Sequence, residues 1–189
     1  MLSTAQLGFN KSKFQETNQK YGIFTKELED FMGDEFYLSP LSTNLTMAGS
    51  YPGGLLHISI KSCKYSIKIN EILPIELKQS IDDIVRVTFL SQIGKVYTVK
   101  LNTNEYQVKS GKMYEFVDDI VRLRMGERSI FYATKYGVKL SEKEFQAILN
   151  FDKDNEDKMA KYFSEPLTYI LKMGFDLAIM EEKNGKKGN

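Results

Sequence analysis

One histidine and one cysteine stand in a chain of 189 residues, and each scarcity excludes chemistry. Histidine is the commonest metal ligand and a ready general base near neutral pH. A single His57 cannot build a centre of several imidazoles. The lone Cys63 forms no internal disulfide, so a reducing cytoplasm is the expected compartment. Long apolar runs are also missing: none approaches the roughly 18 residues that cross a bilayer. The opening stretch MLSTAQLGFNKSKFQETNQKYG is too polar for a signal peptide. No sign of charge dominates, with 26 basic against 25 acidic residues, so no overall field draws the chain to nucleic acid or membrane. There is no glycine-rich phosphate loop and no Ser-His-Asp arrangement to supply a nucleophile.

What is present describes an ordinary globular protein: 42% hydrophobic and 27% charged residues, with length enough for one well-buried core. The apolar positions recur mostly at helical spacing. A helix is predicted over 12–33, with Phe14, Tyr21, Phe24, Leu28 and Phe31 as its buried stripe. EFYLSPLST (35–43) breaks it at Pro40. YPGGLL (51–56) makes a sharp turn into a helix over 55–73. In that helix Leu56, Ile60, Cys63 and Ile67 form the apolar face, and His57, Lys61, Lys64, Lys68 and Glu71 the polar one, before Pro74 ends it. Asp82 and Asp83 suit the start of a helix over 82–93. The period then changes to two: Tyr97, Val99 and Leu101, then Tyr106 and Val108 after NTN, predict a small hairpin within 97–115. Further helices are predicted over 116–136, 141–150, 155–163 and 165–182, the second opened by a capping box of Ser141 and Glu144. The class is all-α with one minor hairpin. Its organisation reads as an N-terminal helical extension (1–35), a helical domain (36–182) and a polar tail (183–189).

Several stretches, taken in order, resemble the HD superfamily of metal-dependent phosphohydrolases, especially the single-domain members of bacteria and their phages. FYLSPLST (36–43) is similar to that group's aromatic, Pro, Ser opening, and YPGGLLHIS (51–59) to its Gly-Gly-Leu-Leu-x-His-Ser helix start. FLSQIGK (89–95) resembles Leu-His-Asp-Ile-Gly-Lys, and RMGERSIF (124–131) resembles His-Gly-Glu-Arg-Ser. LSEKEFQAILNFD (140–152) is similar to Leu-x-x-x-Glu-x-x-Ala-Ile-x-x-His, and PLTYILKMGFDLA (166–178) to a late Leu-x-x-Ala-Asp-x-x-Ala helix. The likeness spans roughly 35–180 in the family's order and implies a single HD-type helical domain.

The departures fall where that family carries its chemistry. The resemblance implies a metal held by one histidine after Gly-Gly, a His-Asp doublet and a late aspartate; here those positions are Ile58, Ser91, Gln92 and Asp176. The accessory histidines of two-metal members fall at Met125 and Phe151. A divalent metal needs three or more imidazole or carboxylate ligands before it can lower the pKa of bound water from about 15.7 toward about 7. Asp176 alone is such a group, and Ile58, Met125 and Phe151 bring apolar volume suited to packing. No metal and no cofactor are expected. His57 is one position, about 100° of helix rotation, from the family's ligand, and its place in the polar stripe predicts a solvent-facing residue rather than a displaced ligand.

Lys95 and Arg128 fall where the resemblance implies phosphate contacts. Weak binding of a small phosphate ligand is weighed against ion pairs with Glu127, Glu115 or Asp176. Cys63 on the apolar face reads as a buried structural thiol rather than a nucleophile. Asp118 with Asp119, and Asp152 with Asp154, lack the glycine and terminal glutamate of a Ca²⁺ loop and read as solvated helix ends. Lysines within 183–187 come without interleaved aromatics, so nucleic acid is not the expected partner. The expected function is that of a pseudoenzyme: an HD-type fold without hydrolase activity that binds a protein partner or self-assembles, in a host cytoplasm or a virion, as a phage structural or accessory component. The alternative is a residual phosphohydrolase or a nucleotide sensor using Lys95, Arg128, Glu127 and Asp176. The aromatic-rich N-terminal segment, with Phe9, Phe14, Tyr21, Phe24, Phe31, Phe36 and Tyr37, is the candidate interface.

Overall fold

A computed structural model describes residues 2–152 and 165–185. Ser3 opens the first helix, α1 (Thr4–Tyr21), by accepting the Gln6 N–H at 3.2 Å. The helix predicted over 12–33 is therefore two helices, and the break has a local cause. Gly22 takes a left-handed φ of 56° that ends α1. The Asn18 side chain then captures the Phe24 N–H at 2.7 Å, and Thr25 caps α2 (Lys26–Met32). A single turn, α3 (Glu35–Leu38), leads through the Pro40 bend to α4 (Gly54–Ile72).

Helix α4 is the centre of the fold and packs against α1, α3, α5 and the last helix, α9 (Pro166–Gly185). The sequence predicts one apolar face, yet Leu55, Ile58, Ser59, Ser62, Ser66 and Ile69 are buried as well as Leu56, Ile60 and Cys63. Small hydroxyl residues hide this second face from a hydropathy pattern. They allow α9 to approach closely: a Cβ at Gly174 would lie 2.0 Å from Ser66 Oγ and 2.9 Å from the Ser62 carbonyl oxygen.

Ser80 caps α5 (Ile81–Leu90) by accepting the Asp83 N–H at 3.1 Å, with Asp82 and Asp83 in the first turn as predicted. A 3₁₀ turn, Ile93–Lys95, follows. Strands β1 (Val99–Leu101) and β2 (Tyr114–Phe116) pair antiparallel, Val99 opposite Phe116 and Leu101 opposite Tyr114. Tyr106 and Val108 belong to neither strand. Asn104 caps a short helix between them, α6 (Glu105–Lys109), because a side-chain cap overrides a weak alternation. Pairing of β2 also delays the helix predicted from 116, so α7 runs only over Met125–Lys135. Helix α8 (Glu142–Asn150) begins with the predicted capping box: Ser141 accepts the Glu144 N–H at 3.4 Å and donates its own N–H to Glu144 Oε2 at 2.8 Å. The architecture is all-α with one minor hairpin.

The expected extension 1–35 shares the main core. Phe14 is fully buried and meets Phe24, Phe36 and Phe89 at centroid distances of 5.1, 4.8 and 5.1 Å. Phe31 stacks on Tyr136 at 4.3 Å. The N-terminal aromatics are thus spent on self-burial rather than offered as an interface; Phe9 is the exposed exception. Residues 183–185 of the expected tail continue α9, while the helix predicted over 155–163 and residues 186–189 lie outside the described residues. Among the described residues, no helix is long and apolar enough to cross a membrane.

Candidate functional site

Ser91 and Gln92 lie just past the end of α5, both at 0% exposure. Ser91 Oγ donates to the Thr88 carbonyl at 2.9 Å and accepts from Gln92 Nε2 at 3.1 Å. Ser129 of α7 donates to the Ser91 carbonyl at 2.7 Å and accepts the Gly94 N–H at 2.8 Å. The pair is therefore held in a buried network linking α5, the 3₁₀ turn and α7. Gly94 permits that junction, since a Cβ there would sit 2.2 Å from the Met125 carbonyl oxygen. Gln92 Oε1 has no hydrogen-bond donor among the described residues.

The other positions that the resemblance links to metal separate into core and surface. Ile58 is fully buried in α4, and Phe151 is buried against Phe175 edge-to-face at 5.8 Å. Met125, first residue of α7, is half-buried against the core. Asp176 stands exposed on α9 in a shallow groove with Leu45, Thr46, Met180 and Lys183. Among the described residues, no group of three or more His, Cys, Asp or Glu side chains is placed to hold a metal ion.

Lys95 ends the 3₁₀ turn, and burial holds its pKa below the ordinary lysine range, with nearby Asp152 opposing the shift. Arg128 is buried on α7 and donates to the Val121 carbonyl. Neither forms the ion pairs weighed from the sequence: Glu127 Oε2 accepts the Arg124 N–H at 2.9 Å, and Glu115 faces Lys100 at 3.6 Å. Asp152 is no solvated helix end. Its Oδ2 accepts the Gly126 N–H at 3.3 Å, at the first turn of α7. Gly126 is the signal for this contact, because a Cβ there would lie 2.2 Å from the Ile148 carbonyl oxygen, so only glycine brings α7 this close to α8.

His57 is half-buried rather than solvent-facing. Residues 4–11, left out of the predicted first helix, extend α1 so that Asn10 covers it. Asn10 Nδ2 lies 3.3 Å from His57 Nδ1, and Gln6 Nε2 donates to Asn10 Oδ1 at 2.9 Å; in the neutral ring this contact suits Nδ1 as acceptor, with the proton on Nε2. Burial, and then the Lys61 ammonium, hold its pKa below the usual 6.5, against the opposing carboxylates of Glu182 and Glu181. Glu182 ties α9 to this corner by accepting from the Tyr51 hydroxyl at 2.9 Å and from Lys61 Nζ at 3.2 Å. Cys63 is buried as expected, and that burial pushes its thiol up to about 12.

In comparisons with protein families, curated proteins and solved structures, nothing matches the chain.

Proposed function

We propose that this chain is a helical domain of degenerate HD type that carries out no metal-dependent hydrolysis and works by binding protein. The excursion over 97–123, which interrupts the helices, carries the binding half of this reading. It presents Leu101 (69% exposed), Tyr106 (82%), Phe116 (60%) and Val121 (71%) to solvent. Large apolar and aromatic groups of this kind gain most from burial in the centre of a protein interface. The loss of hydrolysis rests on Ile58, Ser91, Gln92 and Phe151, which are buried and carry no group that ionises near neutral pH. Water activation by a metal needs ligands that these positions lack.

The finer reading is a phage-encoded structural or accessory component in a host cytoplasm or a virion, supported by the short HD-like span and a Lys-, Asn-, Ile- and Tyr-rich composition. A nucleotide sensor is the competing reading. Against it, the Arg128 guanidinium is engaged by a backbone carbonyl, Glu127 by a backbone N–H, and Asp176 stands in a groove that the other three do not line. Light scattering on the purified protein, with capture from the cells that make it and elemental analysis, tests the proposal. The expected result is assembly beyond the 21.8 kDa monomer or a retained protein partner, with no stoichiometric transition metal. A lone monomer that binds a nucleotide at micromolar concentration, or one tightly held Mn, Fe, Co, Ni or Zn per chain, contradicts it.

A further inference from the structure

A groove of about 390 Å³ opens between α1, α4 and α5, within the range of about 300–1,000 Å³ typical of small-molecule sites. Its floor is apolar, made by Ile60, Cys63 and Ile67 of α4 with Val85 and Phe89 of α5. Its rim carries Lys13 and Lys20 of α1 and Lys64 of α4, against the single carboxylate of Glu16. All three lysines are exposed, while four of the five floor residues are buried, so charge and apolar surface are separated by depth. Among the described residues neither Lys13 nor Lys64 is in an ion pair, and the Lys20 ammonium rests over the Tyr21 ring at 4.8 Å.

The geometry points to this groove as a binding site for an anionic amphiphile, its alkyl chain on Ile60, Cys63, Val85 and Phe89 and its carboxylate among Lys13, Lys20 and Lys64. Decanoate, with one anionic head and one unbranched chain, is the simplest probe of this chemistry. Three ammonium groups against one carboxylate favour an anionic head over a neutral or cationic one, because charge complementarity sets specificity. The thiol of Cys63 fits the apolar floor, since at neutral pH it is uncharged there. None of this depends on the proposed protein-binding function.

Isothermal titration of the full chain with monomeric decanoate, beside decanol and decyltrimethylammonium, tests the site. The sole thiol adds a local readout through its rate of alkylation by N-ethylmaleimide with and without decanoate. One decanoate per chain is expected, binding about tenfold more tightly than decyltrimethylammonium, with alkylation of Cys63 slowed in proportion to occupancy. The surface variant Lys13→Glu/Lys64→Glu keeps its melting temperature and loses about tenfold in decanoate affinity, or about 1.4 kcal/mol. No binding of decanoate, equal binding of the cation, unchanged affinity in the charge-reversed variant, or unprotected Cys63 overturns the proposal.

Discussion

Asp152 Oδ2 accepts the Gly126 N–H at 3.3 Å, so a carboxylate of the chain itself sits at the N-terminus of α7, close enough to Lys95 to oppose the lowering of its pKa. A helix N-terminus exposes unpaired N–H groups and favours negative charge. The position where the resemblance implies bound phosphate thus contains an internal anion. Asp152→Ala leaves the Gly126 N–H without its acceptor, removes the carboxylate that opposes the Lys95 shift, and is expected to cost about 1–3 kcal/mol. Inorganic phosphate at constant ionic strength then raises the melting temperature of the variant and not that of the parent protein. Equal responses in both count against this arrangement.

Restoring histidine at Phe151 is expected to destabilise without activating. Phe151 is buried edge-to-face on Phe175, and an imidazole there leaves a cavity and brings polar atoms that need partners. The expected loss is roughly 2–4 kcal/mol, read by urea denaturation. Unchanged stability together with metal-dependent phosphatase activity in Phe151→His contradicts the assignment of this position to packing.

The single histidine makes pH dependence readable from one imidazole signal. In the folded state His57 has a pKa below 6.5, so the unfolded chain takes up the proton first as pH falls. Its contribution to stability is present above pH 6.5 and is lost as pH falls through the folded value. Proton NMR is expected to show a single imidazole Cε1–H resonance titrating below 6.5, and His57→Gln is expected to lose less stability than the parent between neutral and mildly acidic pH. A midpoint at or above 6.5 rules out the Asn10-covered, neutral ring.

Where side chains alternate at helical spacing and a cap is local, the fold was legible in the sequence: α4, α8 with its Ser141–Glu144 box, and the Asp82–Asp83 start of α5 are examples. What escaped depends on groups distant in sequence. Asn10 reaches His57 across 47 positions, and Ser62 and Ser66 are buried only because Gly174 lets α9 approach. Phe24 interrupts a helical stripe because Asn18 takes its N–H. The candidate site was legible as residue types but not as placement. Ile58, Ser91, Gln92 and Phe151 do enter the core, whereas Asp176 stands at the surface and Asp152, set aside as a helix end, takes part in the α7 junction. Nothing in local periodicity distinguishes an inward from an outward carboxylate.

Protein binding through the 97–123 excursion is the central claim, and the comparison of Leu101→Asp/Phe116→Asp with the parent chain tests it most directly. Both side chains are exposed, at 69% and 60%, so the double variant is expected to melt within about 0.5 kcal/mol of the parent. In quantitative capture from the native cells, the parent retains a stoichiometric protein partner or a second copy of itself, and the variant retains neither. Equal capture by both chains, or a parent that stays monomeric and retains no protein, contradicts the account.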